Sequence, residues 1–138
     1  MKLGYDPDQR YLIFKVAGKL IGTDIGLVKR ILYYDSPQKV PLARDYFDGL
    51  VEFEGKPIPF YNLLRAMGFD ESKKVGENLI AVHFVKGIDI AFKIGSVITV
   101  AQMDQPSVEE CKGKVFGVEK TGIWNGKKVY IINAENMI

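Results

Sequence analysis

The hydrophobic positions of this chain fall in short extended runs, broken by glycine-containing pairs and by proline, and they nowhere sustain a helical period. Tyr11 to Val16 is rich in β-branched and aromatic residues, and Ala17-Gly18-Lys19 turns it into a second run, Leu20 to Asp24. The same patterning predicts strands at Leu50 to Phe53, Ile58 to Tyr61, Leu79 to Phe84, Ile88 to Ile94 and Val97 to Met103. Val115 to Val118, Gly122 to Trp124 and Lys128 to Ile132 complete the set. Glu54-Gly55, Lys86-Gly87 and Asn125-Gly126 suit tight hairpin turns, because glycine accepts the positive φ these turns demand. Pro57 and Pro59 cannot donate to a ladder, so their strand belongs at an edge or with its free side outward. Six residues, Gly26 to Ile31, are too few for periodicity to separate a helical turn from a strand. Asp45 to Asp48 reads as a short turn, and Asn62 as the cap of a short helix, Leu63 to Met67, stopped by Gly68.

Two of these patterns occur twice. Asn125 to Asn133, NGKKVYIIN, echoes Glu54 to Asn62, EGKPIPFYN, 71 positions away (125 minus 54). Ile21 to Ile31, IGTDIGLVKRI, is echoed by Ile90 to Val100, IAFKIGSVITV, at an offset of 69 (90 minus 21). Two echoes in the same order and at nearly the same spacing indicate an internal duplication. The polar stretch Asp70 to Asn78 falls between the copies as a linker. About five short strands per copy predict two small β-barrels, and a lobe of roughly 65 residues holds little core alone. The two are therefore expected to share an apolar seam, built by the Ile-Gly-x-x-Val pieces, and to leave a groove between them. The chain is read as one domain, 1–138, with a first lobe over 11–69 and a second over 79–138; the N-terminal strand is free to join either.

Composition narrows the functional classes. At 138 residues the chain holds one domain with a sizeable core, or two small lobes sharing one. Nineteen basic and 17 acidic residues are interspersed to a net charge of +2, which argues against a polyanion as the main partner. The single cysteine, Cys111, excludes an internal disulfide and fits a reducing compartment. The first residues, MKLGYDPDQR, lack the apolar core of a signal peptide, and no apolar run approaches ~18 residues. A cytosolic protein that does not span a membrane is expected.

Catalytic chemistry is hard to find. The lone His83 lies inside a strand and reads as a sheet residue. One His and one Cys fall short of the roughly four nitrogen or sulfur ligands of a structural zinc site. Cys111 has neither a helix N-terminus nor a dedicated cation beside it, so it reads as a loop cysteine. Glu109-Glu110 and Asp70-Glu71 are adjacent acids in polar loops, and Gly113 to Gly117 lacks the Lys-Ser/Thr and the helix of a phosphate loop. Lys73-Lys74 and Lys127-Lys128 are too short for nucleic-acid tracts. Trp124, Tyr130 and Phe116, near basic residues, leave a nucleic-acid stacking platform on a small barrel as the alternative from another class. No catalytic residue, metal or cofactor is predicted.

The order of these segments resembles the CheW-like domain of bacterial chemotaxis. The family's central stretch, GVINLRGxxxPVxDL, lies without a gap over GLVEFEGKPIPFYNL, Gly49 to Leu63. Its second-half signature, ending Val-Asp-x-Val-x-x-Val, lies over Ile90 to Val100, and its closing strand pair and short helix over Phe116 to Ile138. The resemblance runs from Tyr11 to the end. It implies a mainly β fold of two SH3-like five-stranded barrels around a common core, with short helices. It implies a non-enzymatic adaptor that binds the regulatory domain of a CheA-type histidine kinase and the cytoplasmic tip of a chemoreceptor. By position, Val28, Arg30, Ile31, Gly49, Glu54 and Gly55, with Val97, Thr99 and Val100 in the second copy, are the expected partner-binding residues.

Four positions depart from the family. Its Arg in NLRG is Glu54 here, its Asp in PVxDL is Asn62, and its Asp in VDxV is Gly95. The acid usual two residues after the Val of Val-x-x-Ile/Val is Arg30, so two charges have changed sign together. A salt bridge of swapped polarity between Arg30 and Glu54 is expected, and with it the alternative of a divergent adaptor serving another signalling system.

Overall fold

The computed structural model describes residues 9–33, 47–63, 79–103, 109–110 and 118–137. Among the described residues eleven strands lie in two sheets. In chain order they are β1 (Tyr11–Val16), β2 (Lys19–Asp24), β3 (Val28–Tyr33), β4 (Phe47–Phe53), β5 (Lys56–Tyr61), β6 (Leu79–Val85), β7 (Ile88–Ile94), β8 (Ser96–Ala101), β9 (Glu109–Glu110), β10 (Val118–Trp124) and β11 (Lys127–Ile132). Single 3₁₀ turns, Ile25–Leu27 and Ala134–Met137, follow β2 and β11. The expected linker, the helix beyond Leu63, the segment 115–117 and Cys111 lie outside the described residues.

Four two-residue hairpins set the local geometry. Ala17-Gly18, Glu54-Gly55, Lys86-Gly87 and Asn125-Gly126 all have positive φ at both positions, between 50° and 83°. That is the primed turn whose twist matches the twist of the strands it joins. In the second position glycine meets nothing within 4 Å where a Cβ would stand, so the constraint there is φ rather than space.

The sheets confirm the duplication strand by strand. One has the order β3-β6-β7-β5-β4 and the other β8-β1-β2-β11-β10, extended at its edge by the two-residue β9. Shifting by 69 or 71 residues converts one order into the other. The register follows: Val28 stands opposite His83 as Val97 stands opposite Phe14. Phe60 lies beside Ala91 in a parallel pair as Ile131 lies beside Gly22. Even the bulges recur, between Val28 and Arg30 opposite β6 and between Ile13 and Phe14 opposite β8.

The sheets do not follow the contiguous lobes 11–69 and 79–138. The first hairpin of each copy is exchanged: β1 and β2 join the sheet of β8, β10 and β11, whereas β6 and β7 join that of β3, β4 and β5. The physical cause lies in the connections. Only three residues separate β2 from β3 and only Gly95 separates β7 from β8, so the chain passes straight from one sheet to the other. Other boundaries move less. β4 begins at Phe47, inside the expected turn at Asp45 to Asp48, and β10 is continuous where two pieces were expected. Gly122, which marked that break, is instead a place of close packing: a Cβ there would lie 3.3 Å from Met103.

Apolar side chains form three cores. Val51, Phe53, Ile58, Phe60, Ile80, Val82 and Ala91, with Leu32 beside them, come from every strand of the first sheet and fill the first barrel. Tyr11, Ile13, Leu20, Met103, Val129 and Ile131 fill the second. The largest lies between them: Leu12, Phe14 and Val16 of β1 meet Ala81, Val85, Ile90, Phe92 and Ile94 of β6 and β7. β1 and β6 thus alternate, one face to a barrel interior and the other to the seam. Leu63 and Ala134, equivalent residues after β5 and β11, are both fully buried there.

At the centre of the seam sit the two buried polar side chains among the described residues, Thr23 and His83. The Ala81 carbonyl, 3.2 Å from His83 Nδ1, can only accept, so Nδ1 carries the proton. Nε2 therefore accepts from the Thr23 hydroxyl at 2.9 Å, and the ring meets Phe92 edge-on at 4.8 Å. In the other copy the equivalent positions hold Phe92 and Phe14, both part of the apolar seam, so a polar bridge between the exchanged hairpins occurs on one side only. Burial lowers the His83 pKa from 6.5 to about 4; its bond to Ala81 and the charge of Asp24 act weakly in the opposite sense. The unfolded chain binds this proton at higher pH than the folded one. Stability is thus fully present above pH 6.5 and declines as pH falls toward 4, by at most about 3 kcal/mol. Denaturant titrations across this window should show the decline in the native protein, and His83→Phe paired with Thr23→Val should flatten it.

Candidate functional site

β3 and β8 are equivalent edge strands, and six of the nine expected partner-binding residues lie on them. Val28, Arg30 and Ile31 stand opposite His83, Val82 and Ala81; Val97, Thr99 and Val100 stand opposite Phe14, Ile13 and Leu12. The two triplets occupy the same places in the two copies but face different surroundings. Val28 and Ile31 are half-buried against the seam. Val97 and Val100 are 43% and 44% exposed, and Ile98 between them is 38% exposed. Seam packing thus accounts for much of the apolar surface on β3 and leaves that on β8 unexplained. An edge strand of β-branched residues with no charge among them is a surface natural proteins usually blunt.

The remaining three residues belong to β4 and its turn. Gly49 is buried at the bulge opposite Phe60, with φ of 122°, a backbone state that excludes other residues without strain. Its role is to shape β4. Glu54 and Gly55 form the exposed β4–β5 turn.

The structure brings Arg30 and Glu54 together. Arg30 Nη2 lies 3.8 Å from Glu54 Oε1, and the guanidinium carbon lies 5.7 Å from the centroid of Phe53. β3 and β4 are the two edges of their sheet, so this contact helps to close the barrel. Beside it, Lys29 lies 3.2 Å from both carboxylate oxygens of Asp89, 5.4 Å from the Phe53 ring and 5.6 Å from Phe84. Sequence reasoning did not single out Lys29 or the exposed Phe84, since Phe84 sits in an unbroken apolar run and only the third dimension turns it outward. Tyr33, 69% exposed at the end of β3, was likewise missed. Among the described residues no group of three or more His, Cys, Asp or Glu side chains is placed to hold a metal, and no helix is long and apolar enough to cross a membrane.

The family model for the CheW-like domain matches residues 10–138. The chain belongs to this family. It is 25% identical over 135 residues to the chemotaxis protein CheW of Thermotoga maritima, covering 92% of this chain and 85% of that protein. Its fold is similar to the crystal structure of the scaffolding protein TtCheW from Thermoanaerobacter tengcongensis, with a TM-score of 0.77 at 23% identity over 91% of this chain and 88% of that one. Within this CheW-like domain the expected contact between Arg30 and Glu54 is present, across the two edges of one sheet.

Both side chains of the pair are more than half exposed, so solvent screening keeps its stabilisation at ~0.2–1 kcal/mol. A double-mutant cycle should therefore show Arg30→Glu and Glu54→Arg each destabilising by up to ~1 kcal/mol and the double swap recovering most of the loss. Strictly additive losses would mean the two residues do not interact.

Proposed function

We propose that this CheW-like domain is a non-enzymatic adaptor of bacterial chemotaxis that couples chemoreceptors to a CheA-type histidine kinase. The observation that carries it is family membership along almost the whole chain, residues 10–138. The geometry supports it. Three of the exposed large apolar side chains, Val97, Ile98 and Val100, gather on the single edge strand β8, a surface that suits protein docking and offers no nucleophile with its base. On this reading Val28, Arg30, Ile31, Gly49, Glu54 and Gly55 of the first barrel and Val97, Thr99 and Val100 of the second define the docking region. Its partners are the regulatory domain of the kinase and the tip of a receptor hairpin, and its place of action is the cytoplasm where both lie.

One observation favours a divergent adaptor within the same class. The Arg30–Glu54 pair presents a basic residue from the strand and an acidic one from the turn, both more than half exposed. Partner charges complementary to the usual polarity would meet like charges here, and such mismatches can cost several kcal/mol across an interface.

Titration calorimetry with the kinase regulatory domain and with a receptor hairpin should give saturable binding to at least one. Val97→Glu and Val100→Glu should each weaken the binding at β8 roughly tenfold or more. Their melting temperatures should stay near the native value because both side chains are already half exposed. No heat with either partner would refute the adaptor role, and binding that appears only in the Arg30→Glu, Glu54→Arg double variant would assign the native domain to partners of opposite polarity.

A further inference from the structure

The ends of the equivalent hairpins have diverged in chemistry, and the divergence creates a site. On the second barrel the β1–β2 and β10–β11 hairpins enclose an open cavity of about 280 Å³ lined by Lys15, Lys19, Lys127, Lys128, Leu20 and Tyr130 together with the turn glycine Gly18. Four cations surround it, in a chain whose net charge is only +2, and none of the lining residues is acidic. The equivalent positions of the first barrel hold Phe84, Ile88, Lys56 and Pro57. Three of the four lysines are thus replaced by apolar residues where the fold is otherwise repeated.

The lysines are crowded by the backbone itself. β2 and β11 run parallel with Tyr130 beside Ile21, and Lys19 and Lys128, two residues earlier on each strand, line the same cavity. Lys128 lies 5.0 Å over the Tyr130 ring, and the buried Leu20 lies at the base. The cavity therefore offers positive walls and an apolar floor.

We propose that this cavity binds an acidic peptide segment of a partner protein, carboxylates on Lys15, Lys127 and Lys128 and one apolar side chain on Leu20 and Tyr130. That the occupant is a protein segment rests on the adaptor reading. Lys15 pairs with Ser96 at the start of β8, so the cavity continues the exposed β8 surface. A segment flanking a partner docked on β8 reaches it directly. A phosphate-bearing small molecule fits less well, because the cavity has no arginine fork and no helix N-terminus among its lining residues. Single-stranded nucleic acid fits less well too. Successive bases need several aromatic faces, and Tyr130 is the one aromatic residue here, Trp124 being packed against the barrel core.

The test is fluorescence anisotropy of a labelled peptide with glutamates on both sides of a central phenylalanine, titrated with the full chain. Saturable binding that weakens as salt rises is expected. The double variant Lys15→Glu, Lys128→Glu should weaken it roughly tenfold or more, whereas Lys86→Glu on the other barrel should leave it unchanged. Pyrophosphate, oligothymidylate and phosphatidylserine vesicles serve as competing probes. Absent peptide binding, equal binding by the double variant, or lysine-dependent binding of a competing probe in preference to the peptide would each overturn the proposal. The native chain and both variants are assayed in parallel against the kinase domain and the receptor hairpin. Lysine-dependent peptide binding without either protein would sink the adaptor reading and leave the site standing; binding of the proteins without the peptide would do the reverse.

Discussion

Everything in this molecule depends on the apolar seam between the two barrels. A five-stranded sheet of this size encloses only a handful of large side chains: in the first barrel the interior is seven buried residues, in the second six. Such small cores leave little margin over the conformational entropy of the chain. The seam adds thirteen buried residues, drawn mainly from β1, β2, β6 and β7. β1 and β6 are buried on both faces along most of their length, which is why their sequences are mostly apolar rather than alternating. Exchange of the hairpins ties the two barrels together, because neither sheet contains all the strands of one copy. The domain therefore depends on both copies to complete either sheet.

A seam of this kind also governs which surfaces are free to diverge. The residues facing inward must remain apolar in both copies, and the one polar exception among the described residues, Thr23 with His83, is satisfied by hydrogen bonds to its own surroundings. The hairpin ends and outer edges carry no such demand. They have separated accordingly: β3 bears Lys29 and Arg30 over Phe53, whereas its equivalent β8 bears exposed valine and isoleucine. At the four equivalent positions one pair of hairpins has Phe84, Ile88 and Pro57 with a single lysine, Lys56, and the other has four lysines. Duplication supplied a symmetric scaffold, and the asymmetry of its surface is where a binding protein of this fold acquires distinct faces for distinct partners.

The sequence by itself determined the elements whose causes are local. Period-two and apolar runs placed nearly every strand, and the four glycine turns were legible because positive φ is a property of two adjacent residues. The duplication was legible from two echoes, and the Arg30–Glu54 contact from two linked changes of sign in a resemblance. Among the candidate partner-binding residues, sequence position identified the two equivalent edge strands, but it did not distinguish Val28, half-buried in the seam, from the exposed Val97. Their local patterns are the same, and exposure is set by what lies across from them. The tertiary structure alone decided which copy each hairpin joins. In a duplicated chain β2 and β7 carry equivalent pairing edges, so the pattern of residues does not distinguish the contiguous from the exchanged arrangement; connector length does, acting through space. The lysine-walled cavity was hidden for the same reason: its four cations lie at positions 15, 19, 127 and 128, and only the parallel pairing of β2 with β11 makes them neighbours.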